Sequence, residues 1–520
     1  MKTYKKHLES RKSFGEKQKS TRKPVYRGSA IFTIFESPMI KTRILFMGYW
    51  MLKNNIRELG LLITFRNEYG EILSRESDLI NSHKPFEILV SDYISSKENE
   101  FIGSIELEIF SAIDLFFPYP AFVVNYFNKY SSCSVHTVGR IYNDYEDLID
   151  NSTQTVKEAG FDLLPGKNFD PFFTFTNGFL TNNSFEFELE IINFDNKSFL
   201  KEIKFGELKP LQTCVIKIKD HLNLDEILNN KVGTIKIHHN LKGFFPRFIC
   251  GNINKETSSI SLTHSFYDSS KITSSSSYWI NNNKDLMYDS TVFIPLFLDN
   301  DYYTDLKFYP IYSPSVHKVD IIFYDENGNK LLNLKEVLEI KKNNFLKLNF
   351  KEIAIQNNLD LKNVKGALLT KKFEDKIPTR LKYGLNVGKL KSEYNMPTNI
   401  CFASHVSNDK IINKPGTFKW LPILNHGHSI AVIENSSFIV DYKKIANVLI
   451  TFYRVNSTET INEKIKIPAN GQKRIYINSK IKQFLKNKSG WLTVKSDNPF
   501  VKAWYFEFNE SGIFGGDHSF

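Results

Sequence analysis

A strand-like run, a glycine, a proline and a histidine recur in the same order four times along this chain of 520 residues, and that repeat constrains the fold before anything else does. In each copy a strand-like run is followed by a short polar segment, then a glycine opening a run, a proline opening the next, and a closing histidine. The glycines are Gly103, Gly233, Gly366 and Gly490, and the prolines are Pro120, Pro246, Pro378 and Pro499. The histidines are His136, His264, His405 and His518, spaced 128, 141 and 113 residues apart. The third copy is longer partly because LKSEYNMPTN precedes its histidine. The first halves match more weakly, but each holds a strand ending in a turn: LLITFRNEYG, FEFELEIINFD, VDIIFYDENG and VLITFYRV.

The periodicity inside the copies is that of strands. Phe185, Phe187, Leu189 and Ile191 alternate with Glu186, Glu188 and Glu190, which puts one face in a core and the other in water. Ile216 and Ile218, then Ile235 and Ile237, alternate with lysines in the same way. Asn327-Gly328 and Tyr69-Gly70 supply turns. A proline suits the first residue of a strand or an edge, where a missing N–H is tolerated. Helical pattern is confined to short stretches such as 224–228 and 481–486, ahead of the landmark glycines. About seven or eight short strands per roughly 110 residues is the size of an antiparallel two-sheet β-sandwich. The expected fold is therefore all-β: four tandem sandwiches at 29–145, 160–270, 288–410 and 415–520, behind a disordered tail at 1–28. Polar segments at 146–165, 269–277 and 409–416 read as linkers, the second a Ser/Thr-rich hinge. The module resembles the broad immunoglobulin-like and fibronectin-like class, with a jelly-roll-like arrangement as the other form such a sandwich takes.

Charge sits in one place. The net charge is +11, but residues 1–28 hold ten Lys or Arg against two Glu, so the tail carries +8 and the body +3. Such a tail suits an acidic partner, RNA or an anionic membrane, or serves only solubility, and gives no ground for sequence-specific nucleic-acid binding. Cys133, Cys214, Cys250 and Cys401 are scattered without a C-x-x-C pair, as expected of a reducing compartment. No apolar run approaches the ~18 residues of a transmembrane helix, and the first thirty residues lack a secretory pattern. A soluble cytoplasmic protein is the expectation.

The motifs that carry chemistry are sparse. GGDHS at 515–519 resembles the metal-binding signature of the arginase and agmatinase family, but no D-x-H-x-D accompanies it and its surroundings are all-β. P-loop, dinucleotide-binding, nucleophile-elbow and H-E-x-x-H patterns are missing. The repeated histidines His136, His264, His405 and His518 read first as structural pins, each tying a last strand to a loop, and second as ligand anchors. One histidine per module cannot make a zinc site, which needs three or four ligands. His426 and His428, with Glu434 nearby, form the most metal-like cluster; His238 and His239 point to opposite faces. Phe116, Phe117 and Tyr119, with Phe244 and Phe245, occupy the same loop in copies one and two and are candidate binding loops. Repetition favours binding or scaffolding over catalysis, with a glycan or a protein as partner and no cofactor. The alternative is a metal-assisted enzyme with a site between modules around His405, His426 and His428.

Overall fold

The computed structural model describes residues 24–94, 100–115, 121–136, 157–242, 247–268, 278–280, 286–311, 314–342, 344–374, 376–379, 381–407 and 409–520. Its first twenty-three residues, and with them most of the basic tail, lie outside that set. The first strand starts at Arg27, two residues ahead of the boundary read from the sequence, and Val25 is already buried.

In module 1 eight strands run Arg27–Glu36, Lys41–Met47, Leu59–Asn67, Ile72–Ile80, Pro85–Leu89, Phe101–Phe110, Val123–Phe127 and Ser132–His136. Numbered in that order, they form one antiparallel sheet in the order 1-6-3-4 and another in the order 5-2-7-8. The equivalent strands of residues 157–264, 290–403 and 417–518 repeat both orders. All four modules are thus one fold. Pairing of the second strand with the fifth and the third with the sixth is the immunoglobulin-like element, while the first strand joins beside the sixth. In modules 2 and 3 the chain continues past the eighth strand and adds a short strand, Phe266–Asp268 or His405–Val406, beside the first.

Period-two patterning builds these sheets. In Phe185–Ile192 the phenylalanines, Leu189 and Ile191 are buried while Glu186 and Glu188 are exposed. The fourth strand of every module is a sheet edge and largely exposed, with charges of both signs along it: RESD at 75–78, LKEIK at 200–204, LKEV at 334–337 and NEKIK at 462–466. A helical turn precedes each sixth strand, as Val90–Asp92, Leu224–Leu228, Phe350–Gln356 and Ser479–Phe484. In modules 2 and 4 this gives the landmark glycine a physical reason. A Cβ on Gly490 would stand 2.5 Å from the Tyr453 carbonyl oxygen and 2.6 Å from Leu485, and one on Gly233 would meet Leu228 at 2.5 Å. In those two modules the sixth strand can lie under the helical turn only without a side chain there, whereas Gly103 meets the Arg66 carbonyl and Phe101, and Gly366 the Phe293 ring.

Two sequence expectations change. Residues 157–163 are the first strand of module 2, so the linker ends sooner than the polar composition of 146–165 implies. The landmark prolines precede the seventh strand instead of opening it: Pro378 closes a short strand paired with Tyr278–Ile280, and Pro499 lies two residues before Val501. The chain divides into two compact units, residues 1–269 and 270–520, at the Ser/Thr-rich stretch. Unit 1 holds modules 1 and 2, and unit 2 holds modules 3 and 4. The four cysteines form no disulfide. Among the described residues no helix is long and apolar enough to cross a membrane.

Candidate functional site

Both units contain the same joint, made where the outer face of the even module's second sheet meets the odd module. In unit 1, Thr33 and Thr174 share a hydrogen bond at 2.9 Å, and Phe35 meets Phe172 edge to face, with centroids 5.8 Å apart. In unit 2, Ile430 and Val432 occupy the places of Phe172 and Thr174 and join the core of module 3. Phe297 packs on Phe506 at 5.0 Å and Phe402 on Trp504 at 5.1 Å, both steeply inclined.

A turn locks each joint. The hairpin turn between strands three and four of module 1 reaches the loop between strands four and five of module 2. Gly70, at φ +87°, lies so close that an added Cβ would stand 2.5 Å from the Pro210 carbonyl oxygen. The Thr213 N–H donates to the Glu68 carbonyl at 2.9 Å. In unit 2, Gly328 at φ +78° abuts the Ala469 carbonyl, and the Gln472 N–H donates to the Glu326 carbonyl at 3.0 Å. Lys473 adds an ion pair to Glu326 at 2.9 Å. Thr213 and Gln472 are each the first residue of a fifth strand. Positive φ at both turns requires glycine twice over, for conformation and for space.

The receiving loop is held from behind by an asparagine at the end of the second strand. Asn177 Nδ2 donates to the carbonyls of Leu208 and Lys209 at 3.2 and 2.8 Å. Asn435 Nδ2 donates to those of Ile467 and Pro468 at 3.0 and 3.2 Å. Both side chains are wholly buried. Gly48 holds this place in module 1, its N–H donating to the Lys84 carbonyl as the Asn177 and Asn435 N–H groups donate to Gln212 and Gly471, so module 1 has no side chain for the brace.

The sequence-derived candidates fall elsewhere. His136 and His264 end the eighth strands of modules 1 and 2, and their rings meet edge to face with centroids 4.7 Å apart. Arg247 can only donate, so His264 Nε2 accepts from it at 2.9 Å while Nδ1 donates to the Ser265 carbonyl at 3.1 Å. That pattern fixes a neutral imidazole. His518 ends the last strand of module 4, and its Nδ1 donates to the Ser519 carbonyl at 3.0 Å. His405 lies two residues beyond its eighth strand, opposite Thr291. The candidate loops with Phe116, Phe117 and Tyr119, and with Phe244 and Phe245, lie outside the described residues.

His426 and His428 are exposed on a loop anchored by the buried Glu507. That carboxylate accepts from the His426 amide at 3.1 Å, from the Gly427 amide, from the Ser429 hydroxyl at 2.5 Å and from the Tyr505 hydroxyl. The expected association with Glu434 does not form. Glu434 lies six residues further along the strand from His428, about 20 Å away at the usual rise. It accepts from Trp504 Nε1 at 2.9 Å and pairs with Lys502 at 3.8 Å. Burial pushes its carboxyl up to about 7, against the pull of Lys502 and Trp504. Among the described side chains, neither His426 nor His428 belongs to a group of three metal-ligating residues.

Module 3 carries a second unusual group. Lys371 is buried with its ammonium 4.9 Å above the Tyr383 ring and no hydrogen-bond partner, and burial with the nearby Lys502 charge lowers it to about 7. His317, beside it on the neighbouring strand, donates through Nδ1 to the Ser315 carbonyl at 2.8 Å. Its Nε2 is buried without a partner, and burial, outweighing the Ser315 bond, lowers the ring to about 4. His317 and Tyr383 line an open pocket at the end of module 3.

The fold and these joints define a tandem β-sandwich protein assembled from paired modules. No protein-family model matches the chain, and no curated protein matches it. Among solved structures it is similar to a crystal structure of the FN1-FN3 domains of chicken CNTN1, at 10% identity, covering 70% of this chain and 97% of that one with a TM-score of 0.08. The fold assignment rests on the strand pairings above.

Proposed function

We propose that the chain is a non-catalytic binding or scaffolding protein whose partner is another protein. The observation that carries this reading is the joint itself: twice, the loop end of one module receives the turn of another through backbone hydrogen bonds and a close glycine contact. Modules that recognise turns in cis have the chemistry to recognise them in trans. The basic residues of the tail add attraction for an acidic partner. The landmark histidines act as pins in this reading, because the nitrogens of His264 are engaged by Arg247 and Ser265. His264→Ala then lowers stability by about 1–3 kcal/mol, the cost of a lost buried partner. Unchanged stability with loss of a bound metal would favour the ligand role.

The test is cross-linking mass spectrometry of the full chain in its native extract, run beside an immobilised glycan panel and turnover assays on the purified protein. Protein cross-links recurring at module loop ends are the expected result. Saturable glycan binding without such cross-links, or turnover with stoichiometric metal, would overturn the reading.

A further inference from the structure

The core of module 3 holds two nitrogens that the protein leaves without a hydrogen-bond partner, both beside the pocket at its end. On the strand Gly366–Phe373, Leu369 and Phe373 belong to the core, so period two turns Lys371 between them into the sandwich as well. Val319 stands opposite Lys371 and also lies in the core, and His317, two residues before it, shares that face. A buried ammonium is ordinarily met by an anion. Lys371 has only the Tyr383 ring, with the ring centre 4.9 Å away. The charge that acts on it is the cation of Lys502, whose own partner is Glu434.

Tyr383 and His317 form part of the pocket wall, beside Phe308, Tyr309 and Leu381. His317 Nδ1 is engaged by the Ser315 carbonyl at 2.8 Å, which leaves Nε2 as the group the ring can offer. Among the described residues of the lining none is acidic, while Lys342 and Lys382 are basic. The enclosed part measures about 30 Å³, room for about two waters or for a carboxyl group in their place. Most of the roughly 390 Å³ of empty space is an open mouth with apolar walls.

We propose that this end of module 3 binds a small monocarboxylate with an apolar body, its carboxyl group set at His317 and its body in the aromatic mouth. This goes beyond the protein-binding reading. The carboxyl group shares a proton with His317 Nε2 and supplies, through the low-dielectric core, the negative charge that Lys371 lacks. The lysines of the lining add long-range attraction. The groups that face the buried amine are His317, Tyr383 and Lys502, with Glu434 behind Lys502. Each of these holds its proton more tightly beside an added anion, so binding takes protons up and weakens as pH rises.

The probe is benzoate, titrated into the full chain by calorimetry at pH 6 and pH 9 and in buffers of different ionisation heat. One site is expected, with proton uptake and an affinity about tenfold lower at pH 9. Lys371→Met should weaken binding about tenfold and flatten that pH dependence, methionine filling the same space without charge. His317→Phe should weaken it about as much, the size of one charge-assisted hydrogen bond, and Lys342→Ala about twofold. Circular dichroism checks that both core variants keep their sheets. Benzamide, alike in shape but uncharged, should bind the unaltered chain about tenfold more weakly. No heat up to millimolar benzoate at pH 6 overturns the proposal and leaves the small cavity to water. Binding that is indifferent to pH, or equal for benzamide, also overturns it. So does equally tight binding of chloride, which would mark a site for charge alone.

Discussion

Where the joint of unit 1 has Thr174 bonded to Thr33, the joint of unit 2 has Val432, set among Phe297, Phe402, Trp504 and Phe506. The ionisable groups differ as well. In unit 1 the buried Glu106 is held by Arg66 at 2.9 Å, and Arg27 meets Glu108 at 2.5 Å. In unit 2 Glu434 has a more distant cation, and Lys371 has only an aromatic face. Backbone placement is therefore common to both joints, while the side chains that fill them are not. What repeats is the turn, its glycine and its carbonyl acceptor; what varies is how burial is compensated.

The largest effect that separates the units is expected at Trp504. Trp504→Ala removes a buried indole and leaves Glu434 without its donor, so unit 2 should lose about 3–5 kcal/mol, read by calorimetry of the full chain. A cost under about 1 kcal/mol would mean the aromatic filling is incidental. Gly70→Ala and Gly328→Ala should each cost about 2 kcal/mol, because a side chain meets both an unfavourable φ and a carbonyl oxygen. Equal losses support a shared joint; a loss at one glycine alone would break the equivalence.

The subtlest contrast is in pH. Glu434 is raised to about 7, so the folded state holds its proton more tightly than the unfolded chain, and its contribution falls as pH climbs from the ordinary glutamate range to about 7. Lys371 is lowered to about 7, so its contribution is full only above the ordinary lysine range and falls as pH drops towards 7. The two penalties coincide near neutrality. Lys371→Met should raise stability at pH 7 and flatten the rise between pH 7 and 10 in denaturant titrations. An unchanged pH profile would show that the amine is not held unpaired in solution.

Much of the architecture was legible in the chain. Alternation in segments such as 185–191, the recurring order of glycine, proline and histidine, and the Ser/Thr-rich stretch gave the strands, the fourfold repeat and the place where the units divide. The pairing of modules also left a trace, since the turn between strands three and four holds a glycine in copies one and three, at Gly70 and Gly328, and none in copies two and four. The trace had no meaning without knowing that these turns leave their own module. Asn177 and Asn435 were illegible for a different reason: each acts through backbone carbonyls of a loop some thirty residues away, which no composition announces. The cluster read around His426, His428 and Glu434 failed because closeness along an extended strand is distance in space.

The exposed fourth strands have a consequence for how the protein behaves in company. Each offers a row of amide and carbonyl groups to any chain that slides alongside, the geometry from which fibres grow. Docking there would strip water from Lys201, Glu202 and Lys204 in module 2, or from Glu463, Lys464 and Lys466 in module 4, with nothing arranged to replace it. Each of these four borders is guarded by the hydration of its own charges, and concentrated salt, which weakens that guard, is the condition under which the chain should first begin to stack along them.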